Sequence, residues 1–198
     1  IWQWHFGEGL VRTPSNYGKL GEAPTHPELL DYLAARFVES GWSVKAMHKL
    51  ILLSNTYQMS SAPGDATLLA HFRARRLTVE EIRDSLLAFD GSLDFEVGGS
   101  LQSGEGTDKE FAEGRKSIDP DTSKRRLVYL PLRRSNLPSV LNLFDFGDAT
   151  THNEGRSQTN VAPQALYMMN GKLVAQQAAS LAKLVAGDVN RGYLRVLG

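Results

Sequence analysis

Arg12, Thr13, Pro14 and Ser15, with His26 a short way downstream, combine the residue types of a small polar pocket. Arginine offers a planar fork of donors suited to a carboxylate or phosphate, and histidine titrates near neutrality. The competing use is structural, with Arg12 tying down loop carbonyls and His26 sitting in the first turn of a helix. A second set is acidic. Asp145 and Asp148 in FDFGDA, with Glu8, Glu22 or Asp31 elsewhere, could supply the carboxylate pair of glycoside chemistry. Such a pair works only when its oxygens stand roughly 5 to 10 Å apart across a cleft. Among 22 acidic residues, solvated and capping carboxylates compete with that use.

Other chemistries lack their residues. The chain has no cysteine, which excludes disulfides, thiolate metal sites, thiol catalysis and covalent haem attachment within it. His5, His26, His48, His71 and His152 show no HExxH and no i, i+4 pairing, so a zinc site would have to be assembled from distant residues. Met47, Met59, Met168 and Met169 read as core filler rather than soft ligands. Arg73, Arg75 and Arg76 with Arg83 could hold phosphate, but Glu80 and Glu81 stand beside them and favour pairing on helix faces. No GxSxG, Walker-type loop or strand-borne GxGxxG occurs. No cofactor is expected in this chain.

The elements that must position these side chains are mainly helical. At 198 residues, 41% hydrophobic and 22% charged, the chain fits one globular domain or a domain with a small annex. Lys plus Arg equals Asp plus Glu, which removes any general electrostatic reason to expect nucleic acid or an anionic membrane as partner. No apolar run approaches the length of a spanning helix. Thr25, His26, Pro27 and Glu28 spell a capping box, followed by a stripe of Leu29, Leu30, Leu33 and Phe37 that ends near Gly41. Ser43 can cap a second helix carrying Val44, Met47, Leu50 and Ile51. Thr78 and Glu81 repeat the capping box before Val79, Ile82, Leu86 and Phe89.

From Gly98 to Arg126 the pattern fades into Gly, Ser and charge, read as an exposed and partly mobile excursion, with Gly104 to Lys124 as a variable surface insertion. LVYLPL, Leu127 to Leu132, has the composition of a short strand or extended segment closed by Pro131. Helical patterns return over Asn136 to Phe146, from Pro163 to Asn170, over Val174 to Val185 and from Tyr193. The expected architecture is a mainly α, single helical domain over residues 1–198 with a long ordered N-terminal loop and one short extended or β segment. That loop, Gly7 to Glu28, is too long to be left loose in a compact domain. Trp2, Phe6, Tyr17 and Trp42 are expected to bury it.

Successive blocks then carry a resemblance: IWQWHFGEGLVRTPSNYG, GEAPTHPELLDYLAARFVESGWSVKAMHKLILLSNTYQMSS, RRLTVEEIRDSLL, YLPLRRSNLPSVLNLFDFGDA and TNVAPQALYMMN. Together they resemble the C-terminal domain of unknown function in large secreted proteins of planctomycetes and related bacteria. That domain usually follows a cytochrome c-like domain and a second domain of unknown function. The blocks run from Ile1 to about Leu197. The tract from Gly104 to Lys124 matches none of them, and the Arg-x-Pro segment that typically follows LRVLG is absent. The family also typically begins a turn or two earlier, so both ends look cut from something longer.

Two readings follow. In the first, the chain is a structural or interaction module of a multidomain secreted, periplasmic or cell-surface protein, with the neighbouring domains of its parent as partners. In the second it is an enzyme acting on polysaccharides or related substrates, with carbohydrate as ligand. Its pocket would draw on residues inside the resembling blocks: Arg12, His26, Arg133, Asp145, Gln164 and Asn170. No catalytic residue and no metal ligand is assigned from the sequence.

Overall fold

The computed structural model describes residues 1–62, 64–65, 68–97, 120–132, 137–148, 150 and 155–198. The chain divides into two compact units, Ile1–Arg76 and Leu77–Gly198. The described residues form eight α-helices and one short 3-10 turn, with a single isolated bridge between Asp94 and Arg125 in place of any sheet.

In the first unit, α1 (Trp2–Phe6) stops at Gly7, whose φ of 82° is the left-handed conformation glycine adopts without steric cost. Two threonines then pin the long loop. Thr25 donates through its backbone N–H and its hydroxyl to the Leu10 carbonyl, at 2.8 and 3.2 Å. Thr13 Oγ1 donates to the Asn16 carbonyl and accepts from the Glu22 N–H. The loop leads into α2 (Pro27–Glu39). The expected capping box does not form: α2 starts one residue later than that box requires, His26 is the N-cap and makes no capping bond through its side chain, and the Thr25 hydroxyl gives its hydrogen to Leu10. Pro27 starts the helix instead, supplying a preset φ at a position whose N–H needs no partner. α3 (Val44–Leu52) is capped as expected, with Ser43 accepting from the Ala46 N–H.

The core of this unit is Phe6, Met47 and Ile51, ringed by Trp2, Leu33, Phe37, Leu50, Tyr57 and Phe72. Trp2 stacks on Phe6 with centroids 4.2 Å apart, and Tyr57 meets Phe72 edge-on at 5.2 Å. Two of the four expected anchors do not contribute. Tyr17 is 75% exposed and Trp42 is 66% exposed. Trp42 follows Gly41 in a left-handed turn between α2 and α3, and its ring meets Phe37 edge-on, 5.4 Å between centroids.

The second unit opens with α4 (Val79–Phe89), and here the capping box is complete: Glu81 N–H donates to Thr78 Oγ1, and Thr78 N–H donates to Glu81 Oε2 at 2.7 Å. α5 (Ser139–Leu143), α6 (Ala162–Asn170), α7 (Lys172–Val185) and α8 (Val189–Leu197) follow. One core cluster gathers Val79, Leu127, Leu130, Val140, Leu141 and Phe144. A second gathers Leu86, Leu87, Leu93 and Leu173. LVYLPL is a 3-10 turn over Leu127–Tyr129, with extended backbone only at Leu130 before Pro131. The N–H of Leu127 donates to both Asp84 carboxylate oxygens, at 3.0 and 3.2 Å, so it is not free to pair in a ladder.

Arg83 ties down the segment leading into that turn. Arg83, only 2% exposed, donates from Nε to the Pro120 carbonyl at 2.7 Å, from Nη1 to Asp84 and the Arg125 carbonyl, and from Nη2 to the Ser123 carbonyl. Pro120 and Ser123 are buried as a result. Over Pro120–Arg126 the expected exposed excursion is instead a segment tied to α4. Residues 98–119, and most of the expected insertion with them, lie outside the described residues.

Candidate functional site

Arg12 and His26 open on one cavity of the first unit, of about 50 Å³. The loop carries Arg12 up to it, and the Thr25 to Leu10 bonds bring the start of α2, with His26, to the same place. Its apolar wall is Trp2, Phe6, Leu10 and Leu69, and its polar rim includes Glu8, Arg12, His26, His71 and Arg73. Glu8 bridges the two arginines: Oε1 lies 3.2 Å from Arg12 Nε, and Oε2 accepts from Arg73 Nη1 at 3.0 Å. His26 Nδ1 shares a hydrogen bond with Thr25 Oγ1 at 3.0 Å. His71 Nδ1 is buried and has no hydrogen-bond partner among the described residues. The cavity thus combines two guanidinium groups, one carboxylate and two imidazoles over an aromatic floor, a set suited to an anionic group.

The remaining expected site residues lie in the second unit. Asp145, in the left-handed region at φ 58°, accepts from the Thr159 N–H at 2.8 Å and from its hydroxyl. Gln164 is buried at the start of α6, and its Nε2 donates to the Leu143 carbonyl at 2.9 Å and to Thr159 Oγ1 at 3.2 Å. Thr159 therefore links Asp145 and Gln164, and the three tie the exit of α5 to the entry of α6. Asn170 is exposed at the end of α6 and donates to the Leu166 carbonyl of its own helix. Asp148 accepts from the N–H and hydroxyl of Thr150 in a local turn. Arg133 lies outside the described residues.

A third grouping escaped the sequence reading. His5 Nε2 and His48 Nδ1 are 2.7 Å apart, with the Tyr57 ring edge-on to His5. At that distance the two nitrogens share one hydrogen. Burial holds His5 below the ordinary imidazole range, and neighbouring His48 lowers it further, as does the positive charge of Arg75. No group of three or more His, Asp or Glu side chains able to hold a metal ion occurs among the described residues. The basic run also resolves into separate roles. Arg73 pairs with Glu8, Arg83 is the buried tether, and Glu80 pairs with Arg156 at 2.7 Å rather than with a neighbour on its own helix. The Arg156 guanidinium stacks over the Phe146 ring, 4.4 Å from its centroid.

Fold and site together define a mainly helical protein of two units with a small mixed-charge cavity in the first. A family model described as PSD1, protein of unknown function (DUF1553), matches residues 1–198, and the chain belongs to that family. No curated protein and no solved structure matches it.

Proposed function

We propose that this chain is an interaction module of a larger protein, and that the apolar surface of its first unit docks against a neighbouring domain. The observation that carries this reading is α2. Its stripe of Leu29, Leu30, Leu33 and Phe37 has the spacing of a core-facing helix, yet none of its thirteen residues is buried. Two apolar grooves run beside it, of about 380 and 560 Å³. The first is lined by Val11, Leu30 and Phe37, the second by Leu29, Tyr32 and Leu53. Leu53 and Val44 of the α3 region are exposed as well. A contiguous apolar surface of this kind marks an interaction site more often than a free face. Secretion or display at the cell surface, and a cytochrome c-like domain elsewhere in the parent, follow from the resemblance of the sequence blocks. They complete the reading without entering its argument.

Two glutamate substitutions at exposed residues that line these grooves, Leu53→Glu and Leu30→Glu, test it. In the isolated chain each should change stability by no more than about 0.5 kcal/mol, as exposed positions do. In the full parent protein each should lower the melting temperature or release the neighbouring domain to proteolysis. Unchanged melting and protection in the parent would overturn the docking reading. The second reading, an enzyme acting on polysaccharides, is favoured only by the shared cavity of Arg12 and His26. Turnover of a glycan or ester panel, abolished by Arg12→Ala or His26→Ala with folding intact, would replace the module with it.

A further inference from the structure

The cavity rimmed by Glu8, Arg12, His26, His71 and Arg73 carries more donor capacity than the fold uses. Arg12 commits Nε to Glu8, and Arg73 commits Nη1 to the same carboxylate. The Nη atoms of Arg12, with Nε and Nη2 of Arg73, have no partner among the described residues. Both guanidinium groups are about half exposed and can be reached from solvent. Two fixed positive charges of the guanidinium groups against the one carboxylate leave an excess of one positive charge. Bracing by Glu8 holds two long side chains in place, so the ordering cost of gathering them has already been met in the free protein. The buried Nδ1 of His71 adds a polar atom at the same cavity that finds no bond among the described residues.

We propose that this cavity binds a small organic monoanion, the carboxylate of a short-chain acid. A carboxylate matches the paired donors of a guanidinium fork. Its single charge balances the excess left after Glu8, whereas a dianion such as phosphate would leave the site with uncompensated negative charge. Trp2, Phe6, Leu10 and Leu69 offer apolar contact to a short carbon chain, and a cavity of about 50 Å³ limits the ligand to a few heavy atoms. The proposal is independent of the docking surface on α2 and α3, and either can fail while the other stands.

Calorimetric titration of the 198-residue chain with propionate, its neutral isostere propionamide and inorganic phosphate tests it. Propionate should bind saturably at one site, propionamide should not bind, and phosphate should bind more weakly. Arg12→Gln and Arg73→Gln should each lower propionate affinity by about tenfold or more, the usual effect of losing a hydrogen bond to a charged group. Glu8→Gln removes the brace and raises the charge of the site by one, so it should narrow or reverse the preference for propionate over phosphate. A merely structural role for Glu8 would leave that preference unchanged. If an arginine variant fails to fold, the wild-type and Glu8→Gln titrations still decide. No saturable binding up to tens of millimolar, equal binding of propionamide, tighter binding of phosphate by the wild type, or an unchanged propionate-to-phosphate preference in Glu8→Gln would each overturn the proposal.

Discussion

Replacing Arg83 with methionine should destabilise the second unit by about 3–5 kcal/mol, the range for removing one partner from a buried charged network. The structure sets that scale. Arg83 donates to three backbone carbonyls, of Pro120, Ser123 and Arg125, and to the Asp84 carboxylate, from a position almost closed to solvent. Methionine preserves the length and the apolar stem but offers no donor. Each hydrogen bond from a charged group contributes roughly 1.5–3 kcal/mol, so three lost carbonyl partners alone could cost more than the range given. Rotation of some of those carbonyls toward water brings the sum back down. With a urea slope of about 2 kcal/mol/M, the midpoint should fall by roughly 2 M.

Far-UV circular dichroism can follow that transition. Trp2, Trp4 and Trp42 all lie in the first unit, so their fluorescence gives a separate record of it. The amides of Asp94 and Leu127, bonded to Lys124 O and Asp84, should lose hydrogen-exchange protection in the variant. Arg83→Lys should lose nearly as much, because an ammonium cannot span donors placed by a planar fork. A loss below about 1 kcal/mol, with both amides still protected, would show that water satisfies these carbonyls and that Arg83 is not the tether.

Acidification should weaken the first unit through His5. Its folded-state value lies below the ordinary 6.5, chiefly through burial and next through His48, so the unfolded chain takes up the proton first. The contribution is complete above that ordinary value and lost as pH falls below it. Urea midpoints read by tryptophan fluorescence should drop over this window in the wild type and less in His5→Gln, and equal slopes would contradict the assignment. Gly171→Ala should also destabilise, although the glycine φ of −62° suits alanine. The added Cβ would stand 2.5 Å from the Tyr167 carbonyl at the junction of α6 and α7, an overpacking cost of about 1–3 kcal/mol. An unchanged melting temperature would show that the junction can open freely.

Local signals in the sequence served well where the physics is local. Ser43 and Thr78 cap the helices that follow them, because the hydroxyl and the amide it accepts from are three residues apart. Thr25 has the same local pattern, but α2 takes His26 as its N-cap, and the Thr25 hydroxyl donates to Leu10, fifteen residues earlier. LVYLPL has strand composition, and the Asp84 carboxylate on α4 captures the amide a neighbouring strand would need. The apolar stripe of α2 was visible from its spacing. Its exposure was not, since spacing identifies a face without showing what covers it. At the cavity, Arg12 and His26 were legible as neighbours along one loop. Glu8 with Arg73 and His5 with His48 are pairs 65 and 43 residues apart, and no periodicity connects them. Asp145 and Gln164 were noticed as polar candidates, but their shared partner Thr159 gave no sign in the sequence.

Hydrogen exchange on α2 and α3, compared between the isolated 198-residue chain and the full parent protein, tests the docking reading most directly. In the isolated chain the amides of α2 should open at lower free energy than those of α3, since no residue of α2 is buried whereas Met47 and Ile51 of α3 are. In the parent, the same peptides should gain protection together, with the largest gains around Leu30, Leu33 and Leu50. Equal protection in the two proteins would contradict the claim that this surface is an interface.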